Sequence, residues 1–250
     1  MSDLTDIIAP MVKLKRSNDR KVANLVTKNG KQAAIANTFG LPAGKDFSCP
    51  GATSICETVC YAGKLEKLYK AVKANLLHNW ELLRNADNDT MVALLDDMII
   101  DFIADCDKKN APKLFRIHWD GDFFNDTYTY AWQNVILNHP DIQFWVYTRV
   151  KSAALILKDI ENLSLYYSTD SENKAIGIGL KTDHGISLAY LAKNFALGQS
   201  DMKELTSRPG AKCPENKKAI PLISQKGSAC ATCKLCIYEK SDIVFSATKK

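Results

Sequence analysis

Residues 112–170 constrain the fold more than any other stretch. They read "PKLFRIHWDGDFFNDTYTYAWQNVILNHPDIQFWVYTRVKSAALILKDIENLSLYYSTD". The runs "KLFRIHWD", "IQFWVYTR" and "LSLYYSTD" are rich in branched and aromatic residues and read as strands. Between them, "DTYTYAWQNVILNHP" and "SAALILKDIEN" read as helices, the first stopped by Pro140. Strand–helix–strand repeats of this length build βαβ units and a parallel sheet. The chain is therefore α/β.

The faces of these strands refine that reading. Arg116, His118 and Asp120 alternate with Ile117 and Trp119. Gln143, Trp145, Tyr147 and Arg149 alternate with Phe144 and Val146. Ser164, Tyr166, Ser168 and Asp170 alternate with Leu163, Leu165 and Tyr167. A flat sheet with helices on both sides needs two apolar faces. One apolar and one polar face predict a mostly parallel curved sheet, a partial (β/α) barrel around a polar chamber. In such folds chemistry collects at the carboxyl ends of the strands.

The flanks extend the pattern. "AAIANTF", 33–39, predicts a strand, and "KLEKLYKAVKANLLHNWELLRN" an amphipathic helix with Leu65, Leu68, Val72, Leu76, Trp80 and Leu83 on one side. "DTMVALLDDMIIDFIADCD" predicts another helix, capped by Asp89 or Thr90. Further on, "AIGIGL" reads as a short strand, "ISLAYLAKNFAL" as a helix and "DIVFS" as a last strand. The predicted organisation is a barrel over 1–205 and a cysteine-rich extension, 206–250, packed on it.

Cysteine usage carries the chemistry. The chain has eight, and "MSDLTDIIAPMVKLKRSNDRK" at its start lacks the apolar core of a secretion signal. A disulfide framework is not expected in the cytoplasmic setting this implies. Seven of the eight fall into two groups. The first, Cys49, Cys56 and Cys60, lies in "CPGATSICETVC". The second is Cys213 with Cys230, Cys233 and Cys236 of "CATCKLC". Close C-x2-C-x2-C spacing suits a compact iron–sulfur cubane. Zinc is the alternative at these C-terminal cysteines, because four soft ligands also suit it. Three thiolates in one loop can hold a four-iron (4Fe-4S) cluster with one iron open to a small molecule; the rival readings are that Cys213 or His118 completes the site, or that it is a three-iron cluster. Cys106, alone on an apolar helix, reads as core.

Strand ends supply the remaining candidates: Asp120, Asp122, Arg149 and Asp170 as residues lining a substrate chamber. Carboxylates there can hold an ammonium group or move a proton, and an arginine can grip a carboxylate or phosphate. His118 is expected to face the interior. Lys181, Asp183 and His184 are expected at another loop of the same mouth.

The cysteine loop, the helix after it and "DGDFF" at the next strand end resemble the layout of the radical SAM superfamily. That resemblance implies an iron–sulfur enzyme whose open iron binds S-adenosylmethionine. It also implies cofactor contacts at Gly121 and, in "GIGL", at Gly177 and Gly179, and an electron donor such as ferredoxin or flavodoxin. The loop is C-x6-C-x3-C, where that superfamily has C-x3-C-x2-C. The succession "CPGATSICETVCYAG", "FRIHWDGDFFNDTYTYAW", "FWVYTR" and "CATCKLC" is similar to a bacteriophage family described as gene product 88-like. This implies a phage origin and the host cytoplasm.

A net charge of +5 comes from 33 basic and 28 acidic residues. Spread as they are, they read as a solvated surface, leaving nucleic acid as an alternative partner. No apolar run is long enough to span a membrane. A non-enzymatic, metal-stapled protein that binds nucleic acid or a host protein is the competing class.

Overall fold

The computed structural model describes residues 12–248. An antiparallel hairpin comes first, β1 (Asn24–Val26) and β2 (Gln32–Ala34). β3 (Thr38–Gly40) enters the main sheet. Four helices follow: α1 (Ser54–Val59), α2 (Tyr61–Leu68), α3 (Lys70–Leu83) and α4 (Asn88–Lys109). The repeating units are β4 (Leu114–Asp120) with α5 (Asp126–Asn138), β5 (Gln143–Thr148) with α6 (Lys151–Leu157), β6 (Leu163–Thr169) with α7 (Lys174–His184), and β7 (Ser187–Ala192) with α8 (Phe195–Thr206). The last segment holds β8 (Ala211–Lys212), the hairpin β9 (Ile223–Ser224) and β10 (Gly227–Ser228), α9 (Ala229–Cys233) and β11 (Ile243–Ser246).

The main sheet has seven strands in the order β3-β4-β5-β6-β7-β11-β8, every pair parallel. Sequential parallel strands joined by right-handed crossovers send their helices to one face. The main core lies there: Phe115, Ile117, Phe144, Val146, Leu163 and Leu165 pack against helix residues such as Trp132, Val135 and Leu180. The segment expected to lie on the sheet also enters it, since β11 pairs with β7 and β8.

The opposite face differs from the expected open chamber. Over β6 it is covered. Ser164 donates to the Ile237 carbonyl at 2.7 Å, and Tyr166 to the Leu235 and Ser241 carbonyls at 3.4 and 3.1 Å. The polar face of β6 is a bonding surface for the C-terminal segment. A small second core of Tyr166, Ala189 and Ile243 completes the contact.

Several expectations are corrected. "AIGIGL" is helical, part of α7, because Gly177 and Leu180 bury one helix face before Gly185 closes it at φ +70°. "ISLAYLA" is the strand β7: buried on both faces, it shows the unbroken apolar run that periodicity cannot distinguish from a helix. Residues 33–39 form two strands. Between them Asn37 donates to the carbonyls of Val22 and Leu114 at 3.1 Å each and holds the kink. The long helix after the cysteine loop breaks at Tyr69. α4 is capped by Asp87, two residues before Asp89 and three before Thr90.

His118 does not face the interior. Thr38 pairs with Arg116 but Gly40 pairs with Asp120, so β4 carries two extra residues in a bulge. His118 sits in it at φ +58° and turns under the helices, with Nε2 2.9 Å from the Tyr128 hydroxyl. A left-handed non-glycine residue costs on the order of 1 kcal/mol, so packing holds it. Burial, then the Arg116 charge, push its imidazole down to about 3.

Candidate functional site

The first cysteine loop is clasped onto the carboxyl ends of three neighbouring strands. At β4, Gly121 has φ +81°, and a Cβ there would lie 2.5 Å from the Ser48 hydroxyl. Ser48, next to Cys49, accepts from the Asp122 amide at 3.3 Å and donates to the Pro42 carbonyl at 2.7 Å. At β5, a Cβ on Gly51 would lie 2.4 Å from the Arg149 carbonyl oxygen. At β6, the Thr53 hydroxyl donates to Asp170 at 2.6 Å. Thr53 also caps α1 by accepting from the Cys56 amide at 3.1 Å.

The predicted strand-end residues are brought together, and most of their bonds serve the loop. Asp122 accepts from the Thr148 hydroxyl at 2.6 Å and from the amides of Arg149 and Phe123 at 2.8 Å each. Burial still raises its carboxyl to about 6. Arg149 donates to Asp170 at 2.8 Å, with side-chain exposures of 7% and 0%. Asp170 thus joins β5 to the cap of the helix that carries Cys56. These three residues position the thiol loop.

Asp120 is the exception. One oxygen accepts from the Gly121 amide at 2.9 Å, and Oδ2 is buried with no donor. Its neighbour is the Glu66 carboxyl, another acceptor, so the two bond only by sharing a proton. Burial, then Glu66, raise the Asp120 carboxyl well above the usual range.

Cys49, Cys56 and Cys60 are free and half-buried. Burial raises each thiol. Arg149 opposes this at Cys56. At Cys60 the Gly63 amide opposes it, donating to the sulfur at 3.3 Å. A metal would release these protons, because the thiolate is the ligand.

The second group forms a separate neighbourhood. Burial pushes Cys236 up to about 12, with a hydrogen bond from Tyr147 opposing and Cys213 and Cys233 adding to it. Burial also raises Cys230, where Arg116 opposes and Cys236 and Cys213 add. Arg116 lies 3.0 Å from Asp19 and 5.6 Å from the Tyr147 ring. Long-range backbone bonds hold the group: the Cys213 amide to Val244 at 3.0 Å and the Cys230 amide to Lys21 at 2.9 Å. Cys106 is buried in the core beneath α4, as expected. Among the described residues, no three His, Cys, Asp or Glu side chains are placed to hold a single metal ion.

The predicted glycine pair lies elsewhere. Gly177 is inside α7, where a Cβ would meet the Thr169 hydroxyl at 3.0 Å, and Gly179 faces Asp183. Neither ends a strand. Lys181 bonds Asp242, just before β11, so the end of α7 lies at the amino edge of the sheet, away from the cysteine loop. Asp183 and His184 go with it. Sequence reasoning missed Ser48, Thr53, Glu66 and Thr148. Thr53 alone carried a signal, a helix cap three residues before Cys56.

Known phage proteins match this chain over nearly its whole length. The family model described as Gene product 88 matches residues 12–239. The Gene 88 protein of Mycobacterium phage L5 is 54% identical over 245 residues, covering 96% of this chain and 100% of that protein. The Gene 88 protein of Mycobacterium phage D29 is 53% identical over 246 residues, with 96% and 100% covered. No solved structure matches. No described helix is long and apolar enough to cross a membrane. The full-length agreement, which takes in the cysteine loop, the strand ends that clasp it and "CATCKLC", shows that the chain belongs to the Gene product 88 family of phage proteins.

Proposed function

We propose that this chain is an iron–sulfur protein with two thiol-held centres, the first of them reactive. One observation carries the reading: three half-buried free thiols are clasped at the carboxyl ends of β4, β5 and β6, where parallel α/β sheets collect their chemistry. The donor set is soft, and a sulfur receives an amide hydrogen bond, as thiolate ligands of clusters do. Thiols around a multi-iron cluster stand further apart than ligands around one ion. Cys49, Cys56 and Cys60 would hold a four-iron cluster, leaving one iron for a small molecule. Such a group supplies an electron or a Lewis acid.

In this reading the sheet is a partial (β/α) barrel whose last two strands, β11 and β8, come from the 206–250 extension, and that extension carries an auxiliary centre on Cys213, Cys230, Cys233 and Cys236. Asp120, whose Oδ2 meets no donor other than a proton shared with Glu66, is the side chain best placed to touch a ligand. Asp122, Arg149 and Asp170 hold the thiol loop in register. S-adenosylmethionine is the small molecule a radical reaction would use, with a ferredoxin- or flavodoxin-type donor in the host cytoplasm. The helical placement of Gly177 and Gly179 lends that nucleoside no support. At the second group zinc fits a stapling role: the strands there are two residues long and gain from a cross-link.

The test is anaerobic purification with iron, sulfide and zinc counts, then electron paramagnetic resonance of the reduced protein with and without S-adenosylmethionine. Iron with sulfide supports the cluster, and a spectrum perturbed by the nucleoside supports radical chemistry. Zinc without sulfide leaves a metal-stapled binding protein.

A further inference from the structure

We infer that the elbow between α2 and α3, with the chain segment beside it, binds single-stranded polynucleotide. The inference is independent of the iron–sulfur reading.

The elbow is basic and its charges are uncompensated. Lys64, Lys67, Lys70 and Lys73 are all exposed, and none has an ion-pair partner among the described residues. Nearby acids are engaged elsewhere. Glu66 turns inward to the Ala43 amide at 2.8 Å and Glu57 lies 4.0 Å from Lys45, while Glu215 pairs with Lys21 at 3.0 Å, so Lys21 adds no free charge to the elbow.

Aromatic surface lies among these charges. Tyr69, at the break between the helices, is 56% exposed and its neighbour Leu68 71%. Tyr61 opens α2 and is 39% exposed, with the Lys21 ammonium 4.9 Å from its ring centre. Exposed Arg20 adjoins Lys21, so the track runs from α3 along α2 to the N-terminal segment.

A row of lysines matches a repeating phosphate backbone, and exposed tyrosines offer stacking faces to unpaired bases. A duplex keeps its bases stacked and cannot use them. An acidic protein is the rival occupant. The track favours the polynucleotide, because its aromatic surface is divided between Tyr61 and Tyr69 and forms no compact apolar centre of the kind protein interfaces bury.

The experiment measures fluorescence anisotropy of labelled oligothymidylate with the full chain across a range of salt concentrations. DNA and RNA of one sequence tell the two strands apart. Each phosphate neutralised on a single strand adds about 0.7 to the slope of log K against log salt, so K64Q/K67Q/K70Q/K73Q should flatten it by about 3. Tyr69→Ala should weaken binding about tenfold. Duplex of equal length should compete poorly. Wild-type protein without salt-dependent binding, or a fourfold variant that binds as well as wild type, overturns the proposal. So does displacement by polyglutamate as effective as by oligonucleotide of equal charge, which would make the track a face for acidic proteins. Thermal melting controls for folding, and Lys67→Glu alone carries the charge test if the fourfold variant melts early.

Discussion

The two thiol groups are held in opposite ways. Around Cys49, Cys56 and Cys60 the work is done by side chains and close approach at strand ends: Asp122 on Thr148, Arg149 on Asp170, Gly51 on the Arg149 carbonyl. Around Cys213, Cys230, Cys233 and Cys236 it is done by backbone bonds to β11 and to the turn before β1, and by a polar sheet face that grips carbonyls. A site built on buried charges and Cβ-free contacts is rigid, and it fails when one group is removed. A site spread over backbone bonds tolerates side-chain change. The difference is the one that the proposed roles, a reactive first centre and a stapling second one, call for.

The largest expected effect separates them. Arg149→Met leaves Asp170 buried without its cation, a loss of about 3–5 kcal/mol, or roughly 10 °C in melting temperature. Metal counts should fall at the first group and hold at the second. Equal loss at both would break the comparison. Gly51→Ala comes next. Its Cβ must push the Arg149 carbonyl away, at about 1–3 kcal/mol, and iron retention should again fall only at the first group.

Acid gives a graded version. Unfolded histidine titrates near 6.5 and His118 only near 3, so the unfolded chain binds the extra proton between these values. The His118 contribution to stability therefore rises with pH across that window, by about 1.4 kcal/mol per unit, while the raised carboxyls of Asp122 and Asp120 contribute with the opposite sign. Urea midpoints of wild type and His118→Phe, compared at each pH, should differ by an amount that shifts in favour of wild type as pH rises from about 3 to 6.5 and is level above it. Because the β4 bulge leads into Asp120 and Gly121, the first group should release metal before the second as pH falls. The smallest effect belongs to the second group: Ser164→Ala frees the Ile237 carbonyl for about 1 kcal/mol. Faster amide exchange around residues 235–241, with the first group untouched, is the expected signature.

Much of the fold was legible where patterns were local. β4, α5, β5, α6 and β6 appear where branched residues, caps and Pro140 place them. β7 was misread because a strand buried on both faces loses its alternation, and α7 because "AIGIGL" alternates by chance while its buried residues lie three apart. The elbow lysines stand three apart within residues 64–73, and the fold leaves all four exposed on either side of the break at Tyr69. At the site, the cysteine grouping and the strand-end residues were readable from spacing and register. Glu66, Ser48 and Thr148 were not, because nothing near them in the chain marks their partners.

By itself, the sequence determined the α/β alternation, the parallel sheet and the division of seven cysteines into two groups. These follow from period, turn residues and spacing, which act over a few residues. Only the tertiary structure decided what the strand-end charges do. Asp122, Arg149 and Asp170 looked like chamber residues, yet folding brings loop 48–60 against them, and a buried charge must satisfy its bonds with whatever lies nearest. The same closure left one carboxylate oxygen, on Asp120, without a donor beside the thiols. It also laid the C-terminal segment over a polar strand face whose hydroxyls needed partners.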